Sequence, residues 1–170
     1  MFKKTGKNIL YLSLIFGILS FSFSFLKKPR KDWFIVFFLK GFLSSLIAKV
    51  AVSNRWLEFP FRLFPKVYKI SIVFDYLIFP LACVWYNQTT YSSKLKGILF
   101  QAIFLYSLPM TIFEYWLERN TKLIKYNNWT WFHTLLSLSF TFLFVRGFMG
   151  FIRKFSVQET PQIKTNSSET

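Results

Sequence analysis

The stretch "WFIVFFLKGFLSSLIAKVAV", residues 33–52, decides the fold. It matches the roughly 20 apolar residues with which a helix crosses about 30 Å of hydrocarbon. Lysines interrupt it at Lys40 and Lys49. Lys49 is close enough to the end of the run to snorkel, whereas a lysine nearer the bilayer centre is expensive. Read as a membrane helix, the run presents Gly41, Ser44, Ser45 and Ala48 on one face, since offsets of three, four and seven return to the same side. Such a face lets a second helix approach closely, within the chain or in a self-associated pair.

Similar runs lie on both sides. "ILYLSLIFGILSFSFSFL" (9–26) precedes it between the basic clusters "KKTGK" and "KKPRK". It is longer than the apolar core of a signal peptide and lacks a small-x-small cleavage site, so it reads as a retained helix. "ISIVFDYLIFPLACVWY" (70–86) is shorter and contains Asp75 and Pro80. Neighbouring helices can satisfy the carbonyl freed by a proline, so Pro80 implies a kink more than a break. Two further runs cover 97–117 and 131–151. The expectation is an all-α, polytopic transmembrane helix bundle with five spanning helices, or four as the alternative. Residues 53–69, "SNRWLEFPFRLFPKVYK", have two prolines and mixed aromatic and basic residues, as suits an interfacial segment. A single membrane domain then covers 1–155, and "SVQETPQIKTNSSET" (156–170) reads as a disordered polar tail.

Composition supports the lipid setting. Hydrophobic residues make up 53% of the chain, with 24 phenylalanines, and charged residues only 17% against about 25% in soluble domains. Net charge is +15, but the basic residues cluster between apolar runs, the pattern of flanks attracted to anionic head groups rather than nucleic acid. Arg62, Lys66, Lys69, Arg119 and Arg146 are candidate head-group contacts. Trp33, Trp85, Tyr86, Trp116, Trp129 and Trp131 sit at run ends as aromatic anchors. The basic flanks balance between the two sides, while the nearly uncharged "NQTTYSS" (87–93) suits the outer face. That places the N-terminus in the cytoplasm and the C-terminus outside. Cys83 is alone, with no partner for a disulfide and no CxxC. The chain has no GxGxxG, Walker loop or HExxH.

Consecutive membrane helices alternate in direction, so depth can be compared between runs. Lys49, Asp75, Glu114, Glu118 and His133 fall in one leaflet, with Lys40 and Arg146 toward the other. Glu114 and Glu118 share one face at i,i+4, and Ser137 and Thr141 continue a polar stripe below His133. The polar cluster has two readings. It pins helices together, with Lys49 or His133 as partner to Glu114, or it lines a pocket for an ion, proton or small solute. Carboxylates and an imidazole can hold a divalent metal, but this spacing is no metal motif, and no metal or cofactor is assigned.

"KDWFIVFFLKGFLSSLI" (31–47), "FPFRLFPKVYKISIVFDYLIFPLACVWYNQTT" (59–90), "IFEYWLERNTKLIKY" (112–126) and "WTWFHTLLSLSFTFLFVRGF" (129–148) together resemble a family of small multi-pass membrane proteins from Bacillus and related spore-forming Firmicutes. That family has no assigned biochemical function. The resemblance implies a bacterial plasma-membrane location and supplies no catalytic residues. Its members tend to carry an acid near Lys49, which weakens Lys49 as a positive partner. On sequence alone the first expectation is a structural or interaction role in the cell envelope. A small-solute, ion or proton carrier is the second, and an intramembrane enzyme the third.

Overall fold

Apolar runs of this length form helices because a chain in hydrocarbon must satisfy its backbone internally. In the computed structural model, which describes residues 2–63 and 69–158, five helices account for most of the chain: α1 (Phe2–Ser24), α2 (Arg30–Ser53), α3 (residues 74–89), α4 (Leu95–Asn120) and α5 (Trp131–Gln158). Four contain segments long and apolar enough to cross a membrane: Gly6–Ser24, Arg30–Ser53, Leu95–Asn120 and Trp131–Phe155. The protein is thus a multi-pass, all-α membrane bundle. The four-helix count is the one that length and composition support.

The third run differs for a physical reason. Its helix at about 1.5 Å per residue reaches only about 24 Å, and Phe74, Asp75, Pro80–Val84, Tyr86 and Asn87 are buried in protein. It is the core of the bundle. Phe74 packs with Leu57 and Leu123 at one end. At the other end, Gln88 Nε2 donates to the Ser24 carbonyl (2.6 Å) and Trp85 Nε1 to Ser24 Oγ (2.7 Å). The long helices carry the lipid-facing residues instead, among them Leu12, Phe23, Phe38, Phe104, Phe140 and Phe144.

Both prolines inside helices lie just after a widened turn. α3 is π-helical over Phe74–Ile78, with the Phe79 N–H donating five residues back to Phe74, and Pro80 follows. α4 is π-helical over Gln101–Ser107, with Leu108 donating to Ile103, and Pro109 follows. Proline has no N–H and its ring clashes with the carbonyl four residues earlier, so the preceding turn opens. Pro80 therefore produces a local widening that keeps the helix continuous.

Among the described residues, two apolar clusters fill the interior. One holds Trp33, Val36, Cys83, Tyr86, Phe142, Val145 and Met149; the other holds Leu10, Ala51, Leu57, Phe59, Phe74, Leu117, Leu123 and Ile124. Buried polar residues lie between them along the helices, including Lys40, Ser44, Ser107, Thr111, Thr134 and Thr141. At the second cluster's end, β1 (Leu57–Glu58) pairs antiparallel with β2 (Lys125–Tyr126). Asn127 clasps this bridge, its N–H donating to the Trp56 carbonyl (3.0 Å) and its amide to Glu58 Oε1 (2.9 Å). The 54–61 and 121–130 connections thereby close that end of the bundle.

Gly41, Ser44, Ser45 and Ala48 are all buried, and a Cβ at Gly41 would meet Pro80 Cγ at 3.6 Å. Gly41 packs against α3 inside the chain, and Ser44 and Ala48 border a cavity described below. Of the aromatic anchors, Trp116 and Trp131 are exposed, while Trp33 and Tyr86 are fully buried. Trp33 Nε1 donates to the Lys27 carbonyl (2.9 Å) and Tyr86 Oη to the Ile98 carbonyl (3.2 Å). Their polar tips found backbone partners, which is why two large aromatics could be buried.

Candidate functional site

Lys40 stands near the middle of α2, only 2% exposed. Sequence reasoning set it apart from the acidic residues; the structure turns it into the interior beside them. Its Nζ donates to Thr141 Oγ1 on α5 (2.6 Å) and lies over the Phe142 and Phe79 rings at 5.1 and 6.0 Å from their centroids. Thr141 passes its own hydroxyl proton back to the Ser137 carbonyl (2.8 Å). A hydroxyl acceptor and two ring faces thus hold the ammonium. The polar stripe of Ser137 and Thr141 does face protein.

Asp75 lies in the π-helical turn of α3 and is 4% exposed. Its N–H donates to the Ser71 carbonyl (2.9 Å), yet its buried Oδ2 has no hydrogen-bond partner. Ser44 Oγ is likewise buried and unpartnered. Orphaned polar atoms are uncommon in protein interiors. Here both residues border the same cavity.

That cavity has a volume of about 280 Å³ between α2, α3, α4, α5 and the closing connections. Its walls are largely apolar, with Phe59, Phe74, Phe113, Leu117 and Leu138 among them; Lys40, Ser44, Asp75, Glu114, Thr134 and Ser137 supply polar groups. Glu114 Oε1 accepts from Tyr126 Oη and Thr134 Oγ1, each at 2.8 Å, and Thr134 Oγ1 accepts from Trp129 Nε1 at 2.8 Å. Tyr126 lies outside the spans, and its burial, with the Glu114 carboxylate next, pushes the phenol's pKa up. The phenol therefore keeps its proton and continues to donate. Glu114 is at once a cavity wall and the tie between α4, β2 and α5.

The helices do bring the expected residues to one end, but not into one cluster. Asp75 and Glu114 border the cavity. Lys49 is exposed, as is His133, whose Nδ1 pairs with Thr130 Oγ1 (2.7 Å). Glu118 is half-buried and does not border the cavity. Glu114 therefore takes its partners from hydroxyls, not from Lys49 or His133. Lys49 and His133 lie on helix faces turned outward, a matter of rotation that depth alone does not specify. Among the described residues no group of three His, Cys, Asp or Glu could hold a metal ion.

The basic candidates also divide. Arg146 turns inward, donating from Nε to Thr90 Oγ1 (3.2 Å) and from Nη2 to the Thr90 and Tyr91 carbonyls (3.0 and 3.3 Å). It closes the turn after α3, so its guanidinium is engaged by protein. Nearby, Arg153 Nε pairs with Asp32 Oδ2 at 2.6 Å and stacks on Tyr91. Arg62 Nη1 donates to the Lys69 carbonyl (3.1 Å). Lys69 and Arg119 remain exposed at the opposite end, while Lys66 lies outside the described residues. Sequence reasoning missed Lys40, Ser44 and Thr141 as one site; the signal available was a lysine in mid-helix, whose long stem can reach a facing hydroxyl.

Comparison with protein-family models, curated proteins and solved structures finds no match for this chain.

Proposed function

We propose that this integral membrane protein binds a small amphiphilic molecule in the cavity between α2, α3, α4 and α5, and, as the family resemblance implies, does so in a bacterial plasma membrane. One observation carries the reading: a largely apolar cavity of about 280 Å³ is bordered by Lys40, Asp75 and Glu114. Ligand sites typically combine apolar walls with a few convergent polar groups, and ionisable residues within membranes mark functional sites by default. A purely structural role in the envelope accounts for Glu114, which ties three elements together. It leaves Asp75 unexplained, since a buried carboxyl without a donor costs stability that an apolar residue would not.

The test is extraction into lipid nanodiscs directly from native membranes, with mass spectrometry of the small molecules released. A defined amphiphile should accompany the wild-type protein and be lost from Ser137→Phe, which fills the cavity, provided the variant keeps its helical circular dichroism. Equal recovery from wild type and a folded filled variant would remove the cavity as the binding site.

A further inference from the structure

The charges around the cavity are unequal. Among the described residues three ionisable side chains border it, Lys40 from α2, Asp75 from α3 and Glu114 from α4, while α5 contributes Thr134, Ser137 and Leu138, which carry no charge. The Lys40 ammonium is already engaged by Thr141 Oγ1 and the Phe142 and Phe79 rings. It does not pair with either acid: the ion pairs among the described residues are Lys125–Glu58 and Arg153–Asp32. Asp75 Oδ2 is buried without a donor, and both hydrogen bonds to Glu114 go to Oε1, leaving Oε2 with no protein donor among the described residues. Two carboxyl groups, acceptor-only when ionised, thus border a cavity whose one positive group among the described residues is held elsewhere.

We infer that the occupant is a monocationic amphiphile, a protonated amine joined to a compact apolar body, with its ammonium held by Asp75 and Glu114. This rests on the amphiphile-binding reading and adds the sign of the charge. An ammonium supplies N–H donors to the carboxyl oxygens, with both acids ionised it balances the one excess negative charge among the described lining residues, and it bonds more strongly to a charged acceptor than a neutral donor would. Aromatic walls from Phe59, Phe74 and Phe113 suit the apolar body and tolerate the cation's edge. A carboxylate-headed amphiphile meets the opposite situation, two acids and a lysine already engaged.

Three probes of nearly equal shape separate the possibilities: 4-phenylbutylamine, 4-phenylbutanol and 4-phenylbutyrate. Binding is read by equilibrium dialysis against the full-length protein in phosphatidylcholine nanodiscs, with empty nanodiscs subtracting partition into lipid. The amine should bind wild type at least 10-fold more tightly than the alcohol, and the butyrate more weakly than either. Asp75→Asn should bring the amine toward the alcohol's affinity, with a smaller change for the alcohol than for the amine. Glu114→Gln provides a second variant and should also weaken the amine selectively. Equal affinity for amine and alcohol in wild type, or an amine preference surviving both substitutions, would overturn the charge assignment while leaving amphiphile binding intact. Preference for the butyrate would reverse it. If no probe binds wild type above empty nanodiscs, both readings fall.

Discussion

Glu114 shows how one side chain can hold a fold and shape a cavity at once. Its Oε1 accepts from Tyr126 and Thr134, so Glu114→Gln, which keeps a carbonyl acceptor, should unfold in detergent close to wild type. Glu114→Leu leaves both hydroxyls without their acceptor, a loss of about 1–3 kcal/mol. Thermal unfolding followed by circular dichroism would rank the two; a leucine variant as stable as wild type would remove Glu114 as a tie. Thr141 permits a parallel comparison, because it is the hydroxyl that receives the Lys40 ammonium. Thr141→Ser should be nearly neutral, and Thr141→Val should cost about 1–3 kcal/mol by stranding a buried donor. Gly17 tests close helix approach. A Cβ there would lie 2.7 Å from Leu77 Cγ on α3, whereas one at Gly150 meets nothing within 4 Å. Gly17→Val should therefore destabilise by about 1–3 kcal/mol through overpacking, and Gly150→Ala should stabilise slightly by helix propensity, about 0.5–1 kcal/mol. Equal effects at the two sites would show that α1 and α3 do not pack closely.

At the scale of elements, the two π-helical turns are the unusual features. Each precedes a proline by sequence position, and each places cavity residues: Asp75 within the turn of α3, Pro109 and Met110 just after that of α4. A π turn rotates the residues beyond it relative to an uninterrupted α-helix. Pro80→Ala restores the N–H and permits Tyr76 to regain an α-helical bond. The expected outcome is a regular helix that turns Asp75 away from the cavity, with little loss of helix content. The same circular dichroism and amine dialysis would read it: helicity preserved and amine affinity reduced toward that of the alcohol. Unchanged affinity would mean that the proline is not what positions Asp75. The π turns were not legible in the sequence, although their cause was. Proline dictates that the ladder must change, and the neighbouring helices decide whether it bends, breaks or widens.

For the whole molecule, the chain runs end to end five times, although only four of its helices have the length and hydropathy of a lipid-facing span. Gly6 lies against Leu123 and Thr121 at one end, and Arg153 pairs with Asp32 at the other. Reporter fusions after Lys28, Ser93 and Gln158 should therefore mark one side of the membrane, and fusions after Lys69 and Lys125 the other. Lys69 and Ser93 on the same side would show that α3 does not traverse. Which side is cytoplasmic follows from the same measurement, since the basic flanks are nearly balanced and the positive-inside rule has little to act on.

Sequence by itself determined that this chain is a membrane helix bundle, because hydrocarbon admits only internally bonded backbone and the apolar runs have the length to cross it. It also determined which end of the bundle receives Asp75 and Glu114, since alternating helices fix depth. It could not determine rotation. Whether Lys40 turns to lipid or inward, and whether Lys49 and His133 join the acids, depend on how neighbouring helices pack. Tertiary structure decided those points, because within lipid each polar group turns toward the partner that packing brings within reach. Lys40 found Thr141, Glu114 found Tyr126 and Thr134, and Asp75 was left facing a cavity.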